Sequence, residues 1–146
     1  MRYAGLVKND IVDGDDGIAV ALYFQGCPHH CKGCHNPETW DFNGGIEIDR
    51  EKLIENVIDS LTENGVKRNL SILGGEPLAP QNIDNTIYIL SKIRKQFKDI
   101  KKDKQQKKIL KLVNKIIDGK YIEELRDTTL ELRGSSNQNI INLDKY

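Results

Sequence analysis

Every cysteine and histidine of this 146-residue chain falls within nine consecutive positions, Cys27-Pro28-His29-His30-Cys31-Lys32-Gly33-Cys34-His35. Three thiols at C-x3-C-x2-C spacing on one short loop can converge on a single small object, so a metal centre is the first reading. Thiolates select zinc, copper(I) or iron–sulfur clusters. A [4Fe–4S] cluster usually takes four cysteines. With Cys27, Cys31 and Cys34 alone, one iron would lack a protein thiolate and stay open to a substrate, as in catalytic rather than closed structural centres. Zinc is the alternative, with one of His29, His30 or His35 as a fourth ligand and a non-enzymatic role for the chain. Structural zinc sites usually join two ligand pairs across a longer loop, and no second pair follows here. A redox dithiol at Cys31 and Cys34 would leave Cys27 without a role. Three unrelated buried cysteines would not sit among His, Lys and Gly. Iron–sulfur fits the spacing best, and zinc stays open beside it.

The loop leaves an apolar run, Ile18-Ala-Val-Ala-Leu-Tyr-Phe24, that reads as a buried strand. Asp49 can cap a helix reaching about Asn64, with Leu53, Ile54, Val57, Ile58 and Leu61 on one face and Asn64-Gly65 as its stop. Leu70-Ser-Ile-Leu73 is a second strand, running into Gly74-Gly75-Glu76-Pro77. Pro80 is placed to open a second helix carrying Ile83, Ile87, Leu90 and Phe97. A helix through Val113, a short strand at 115–117, a strand at 129–133, a turn at 134–137 and an apolar pair, Ile140-Ile141, complete the expectation. Strand–helix alternation predicts an α/β fold with a mainly parallel sheet, in which ligands sit at the carboxyl ends of the strands. Both unusual motifs follow such ends. The Gly74-Gly75 pair would let backbone approach a ligand closely, and Glu76 would offer a carboxylate to an ammonium group. Alone, the same string is an ordinary turn.

No linker or repeat interrupts the chain, so residues 1–146 are read as a single domain. No apolar run approaches the ~20 residues of a membrane span, and no secretory h-region opens the sequence. An odd cysteine count without such a signal predicts a reducing cytoplasm. The formal charge is zero but uneven. Residues 92–111 hold ten Lys/Arg and two acidic residues, a balance of +8, and the rest of the chain carries −8. That stretch lacks interleaved aromatics, so a solvated surface is expected there rather than nucleic-acid binding.

The string from Gly26 to Pro37, followed by Thr39-Trp40, resembles the radical S-adenosylmethionine enzymes. Within them the chain is similar to the activating proteins of anaerobic ribonucleoside-triphosphate reductase. The likeness extends to Gly74-Gly75-Glu76-Pro77-Leu78 with Pro80-Gln81-Asn82, to Asp118-Gly119-Lys120-Tyr121, and to Arg133-Gly-Ser-Ser-Asn-Gln138. The resemblance implies a shortened open (β/α) partial barrel. It implies Cys27, Cys31 and Cys34 as ligands of a [4Fe–4S] cluster, with S-adenosylmethionine chelating the fourth iron through its amino and carboxylate groups. Gly33, Cys34 and His35, with Gly74, Gly75 and Glu76, would surround that cofactor. Reductive cleavage of the sulfonium–C5′ bond would give methionine and a 5′-deoxyadenosyl radical. The radical would take a hydrogen from a glycine of the large reductase subunit. A low-potential electron donor such as flavodoxin is implied as a further partner, and no acid–base residue pair is. The three histidines would then be loop residues tuning the cluster, and Trp40 a packing anchor beneath the loop. Arg133–Gln138 would contact the cofactor or the partner. Relatives carry a further strand after the Pro80 helix. Here residues 101–108 hold five lysines, which could not be buried unpaired in a sheet interior.

Overall fold

A computed structural model describes residues 1–15, 17–97 and 112–143. Among them the chain runs β1 (Arg2–Asp10), β2 (Ala19–Phe24), β3 (Ile46–Glu47), α1 (Arg50–Thr62), β4 (Asn69–Gly74), α2 (Ile83–Phe97), β5 (Lys115–Asp118) and β6 (Asn139–Asn142). It divides into two compact units. One comprises residues 1–30 and 35–86; the other comprises residues 31–34 and the described residues from 87 onward.

The first unit is a four-stranded sheet in the order β3-β1-β2-β4. The apolar run read as a buried strand is its centre: Ala19, Val20, Ala21, Leu22 and Phe24 are all fully buried. On one side β2 pairs antiparallel with β1, and on the other it pairs in parallel with β4, from Ala19 opposite Asn69 to Phe24 opposite Gly74. The crossover that a parallel pair needs is supplied by the cysteine loop and α1. Asp49 caps α1 as expected, its carboxylate accepting from the Glu51 and Lys52 N–H groups. Leu53, Ile54 and Val57 are buried, and the helix packs on β2 and β1. It ends in a 3-10 turn, Glu63–Gly65, where Asn64 and Gly65 take φ of 57° and 66°. That is the left-handed stop the Asn-Gly pair predicts.

β1 had no counterpart in the sequence expectations. Its residues are half-buried or exposed rather than buried, which weakens the apolar signal of a strand. It also changes the architecture. Only residues 11–18 join β1 to β2, too few for a crossover, so the pair must be antiparallel. Asp10 shapes the connection by accepting from the Val12 and Asp13 N–H groups at 2.8 Å. Asn69 and Ser71 of β4 tie it down by donating to the Gly14 and Asp13 carbonyls.

The expected mainly parallel sheet and open (β/α) partial barrel are therefore corrected. Three of the four strand pairs among the described residues are antiparallel, one is parallel, and no barrel closes among them. The physical reason is connectivity, since one crossover makes one parallel pair. Two smaller expectations also move. Pro80 sits in a turn and α2 starts at Ile83. The 101–108 stretch lies outside the described residues, as does most of the 92–111 charge run.

In the second unit, β5 and β6 form an antiparallel pair from Lys115–Asn142 to Asp118–Asn139. Leu112 and Val113 are not helical, and residues 109–111 lie outside the described set. Residues 129–133 form turns rather than the expected strand. The Asp127 carboxylate accepts from both the N–H and the hydroxyl of Thr129, at 2.9 and 2.6 Å. Leu132 takes φ of 56°, which no strand permits. The Asx turn and the left-handed residue override an apolar–polar alternation.

Candidate cluster and cofactor site

Because β2 and β4 are parallel and in register, their carboxyl ends lie side by side, with Phe24 opposite Gly74. The segments that follow stay joined. Gly75 N–H donates to the Phe24 carbonyl at 2.9 Å, and Glu76 N–H to the Gly26 carbonyl at 2.8 Å. On its other side the root of the cysteine loop is held by the segment that closes it. Gly26 N–H bonds the Thr39 carbonyl at 2.7 Å, and Cys27 N–H bonds the Trp40 carbonyl at 3.0 Å. Buried Gln25 completes the frame, donating to the Glu38 and Asp41 carbonyls at 3.1 and 2.7 Å.

The glycines here answer to a demand inside the chain. A Cβ on Gly75 would stand 2.5 Å from the Gly26 carbonyl oxygen, and Gly74 has φ of 94°. Gly26 has φ of 95°, and a Cβ there would collide with the Phe42 ring. The close approach that the Gly-Gly pair permits is first of all that of the turn to the loop root.

None of the three cysteines forms a disulfide. Cys27 is buried, and Cys31 and Cys34 are half-exposed. Cys31 and Cys34 bracket a turn closed by Cys34 N–H to the Cys31 carbonyl at 3.1 Å, with Gly33 at φ of 74°. Glu123 is packed so closely on Gly33 that a Cβ there would strike its carboxylate, and Lys32 pairs with Glu124 at 3.6 Å. Among the described residues, no three His, Cys, Asp or Glu side chains are gathered as a metal-holding group. The donor set itself suits a thiolate-bound cluster: three thiols outside any disulfide, two of them within reach of solvent, on one loop.

The histidines have partners of their own. His29 Nε2 lies 3.2 Å from Glu76 Oε2, linking the loop to the Gly-Gly-Glu turn, while Glu76 Oε1 accepts Leu78 N–H at 2.8 Å. His30 stacks on Trp40, with ring centroids 4.8 Å apart and planes 7° from parallel. Trp40 thus anchors the loop by ring and by backbone. His35 is exposed.

The hydrogen-bond partners of two residues in the first unit had no sequence signal. Asn82 donates to the carbonyls of Gln25 and Gly26, far from it in the chain, and to that of nearby Glu76. Tyr23 donates to the Asp13 carboxylate at 3.2 Å. Burial, then the negative charge of Asp13, push the Tyr23 phenol up to about 12. Burial and the neighbouring Asp10 raise the Asp13 carboxyl.

The Arg133–Gln138 block turns inward within the second unit. Gln138 Oε1 accepts the Gly134 and Ser135 N–H groups at 3.0 and 3.1 Å, and its amide donates to the Gly119 carbonyl at 2.9 Å. Asn137 donates to the Lys120 carbonyl at 2.8 Å, and Arg133 to the Gln138 carbonyl at 3.0 Å. The fully buried Ser135 hydroxyl accepts Ile122 N–H.

Comparison with known proteins follows the same segments. A family model described as a 4Fe-4S single cluster domain matches residues 12–141. Three similar chains are each named anaerobic ribonucleoside-triphosphate reductase-activating protein. That of Haemophilus influenzae is 34% identical, over 94% of this chain and 96% of its own. That of Escherichia coli K12 is 35% identical over the same shares. That of Enterobacteria phage T4 is 34% identical, over 96% and 93%. No helix among the described residues is long and apolar enough to cross a membrane. The three-thiol loop, the strand ends that root it and this likeness along the chain agree: it belongs to the 4Fe-4S single cluster family of anaerobic ribonucleoside-triphosphate reductase-activating proteins.

Proposed function

We propose that this chain is a glycyl-radical activase acting on the large subunit of the anaerobic ribonucleoside-triphosphate reductase. One observation carries the reading: the cysteine loop and the Gly-Gly-Glu turn leave adjacent parallel strand ends and are hydrogen-bonded there, by Gly75 to Phe24 and Glu76 to Gly26. Ligand sites of α/β sheets lie at such ends. When bound, a [4Fe–4S] cluster and S-adenosylmethionine supply one-electron cleavage of the sulfonium–C5′ bond and a 5′-deoxyadenosyl radical that takes hydrogen from a glycine of the reductase.

The chain's own part is binding and orientation. Cys27, Cys31 and Cys34 would ligate three irons, leaving the fourth for the amino and carboxylate groups of S-adenosylmethionine. Gly33, Cys34 and His35, with Gly74, Gly75 and Glu76, would offer contacts to that cofactor. Glu76 would accept a hydrogen bond from that amino group. Its carboxylate is already oriented by Leu78 N–H and faces a second donor, His29. No acid–base residue is assigned, because the chemistry needs no proton transfer from a side chain. Residues 1–146 act as one domain in this reading, supported by a family match that runs through both compact units. A low-potential donor such as flavodoxin would deliver the electron, in a cytoplasm reducing enough to keep three thiols from forming disulfides.

Anaerobic reconstitution with iron and sulfide, followed by absorption and metal analysis, tests the reading. About four irons per chain and S-adenosylmethionine cleavage to 5′-deoxyadenosine are expected, with cleavage falling to background in Cys31→Ala. A colourless protein holding about one zinc per chain overturns it.

A further inference from the structure

We infer that Asn82 is a positioning residue that sets the spacing between the cysteine loop and the Gly-Gly-Glu turn. The inference rests on the activase reading, in which those two segments hold the cluster and S-adenosylmethionine. Asn82 is 7% exposed. It immediately precedes the first helical residue of α2, and its own carbonyl accepts Thr86 N–H at 3.0 Å. A residue so placed usually turns its side chain back onto the first helical N–H groups. Asn82 instead directs its amide away from the helix. Nδ2 lies 3.0 Å from the Gln25 carbonyl oxygen, 3.2 Å from that of Gly26 and 2.9 Å from that of Glu76.

Two of these carbonyls belong to the residues directly before Cys27. The third belongs to the acidic residue of the turn. Backbone oxygens brought together away from water repel one another unless a donor stands among them. Glu76 N–H reaches only the Gly26 oxygen, so the amide of Asn82 is the donor common to all three. A carboxylate cannot replace it, having no hydrogen to give when ionised, and a serine hydroxyl has only one. The chain supplies a natural control. Thr86, one turn further along α2, donates its hydroxyl to the Pro77 carbonyl at 2.7 Å. Thr86 therefore ties the same turn to the same helix without reaching the cysteine loop. A general stabilising role would be common to Asn82 and Thr86; a spacing role belongs to Asn82.

The test compares the parent chain, Asn82→Ala and Thr86→Val after anaerobic reconstitution. It reads iron and sulfide content, S-adenosylmethionine affinity by equilibrium binding, and the change in the spectrum of the reduced cluster when S-adenosylmethionine is added. Asn82→Ala is expected to keep the parent's iron content, to bind S-adenosylmethionine about tenfold more weakly, and to show the spectral change only at correspondingly higher concentration. Thr86→Val should match the parent in all three. If Asn82→Ala does not fold, Asn82→Ser keeps one donor, and the same comparison is made at an intermediate loss. Parent-like affinity in the Asn82 variant overturns the inference. So does a loss of iron in step with affinity, since that marks collapse of the loop rather than altered spacing. Failure of the parent chain itself to bind iron or S-adenosylmethionine is a different result, and sinks the activase reading beneath the inference.

Discussion

The segments beyond β2 and β4 and the Arg133–Gln138 block are both glycine-containing polar strings with matches in the same family, yet they spend their polar groups differently. At the strand ends the hydrogen bonds are made mostly by backbone and by residues behind the loops, Gln25 and Asn82. None of the three thiols is tied up in a disulfide. In the Arg133–Gln138 block the side chains themselves do much of the holding: Ser135, Asn137 and Gln138 all close bonds within their own unit, although Asn137 Oδ1 and Arg133 Nε are buried without a hydrogen-bond partner among the described residues. A string of reactive-looking residues therefore speaks for chemistry only when something else carries the cost of holding its backbone. Where its side chains do the holding, the string is first of all a fastening. The cofactor or partner role expected for Arg133–Gln138 would have to be added to that internal one.

The largest effect that tests this contrast is at Gly75. Gly75→Ala sets a methyl against the Gly26 carbonyl, and backbone cannot step aside as a flexible side chain would. A loss of about 3 kcal/mol is expected in chemical denaturation, with weakened S-adenosylmethionine binding. A variant as stable as the parent would show that the turn and loop root are not in forced contact. Next comes Gln138→Ala, which strips the acceptor from the Gly134 and Ser135 N–H groups and the donor from Gly119. About 2 kcal/mol should be lost, with S-adenosylmethionine affinity unchanged. A shift in affinity instead would make the block a cofactor contact and dissolve the distinction.

The smallest effect is at Tyr23, and it is confined to alkaline solution. Its pKa of about 12 in the folded chain exceeds the unfolded value of about 10, so folding favours the protonated phenol. The stability it contributes is complete below about pH 10 and is lost as pH rises through about 12. Denaturation midpoints of Tyr23→Phe and the parent, followed from about pH 9 to about pH 12, should converge or cross as the parent alone loses this contribution. Parallel curves would show that Asp13 and burial do not hold the phenol.

Much of the first unit was legible in the chain. Asp49, the apolar face of α1 and the Asn64-Gly65 stop are local signals with local causes, and each appears where its chemistry places it. The run 18–24 read as buried because five of its residues are, at the centre of the sheet. β1 was not legible, since a half-buried strand beside a short connection carries little periodic signal. The 129–133 segment was misread for the opposite reason, as an alternating pattern interrupted by Asp127 and a left-handed Leu132.

From the chain alone follow the three-thiol loop, the chemistry such a donor set selects, and the family to which its motifs point. These depend on residue type and short spacing, which no fold can alter. The tertiary structure decided that the sheet is mixed, because pairing direction depends on what connects the strands. It also decided that Gly75 answers to Gly26, that Gln138 fastens its own block, and that Asn82 joins two loops across more than fifty residues. Such contacts are made between groups whose positions are independent until the backbone has folded, so no local pattern could announce them.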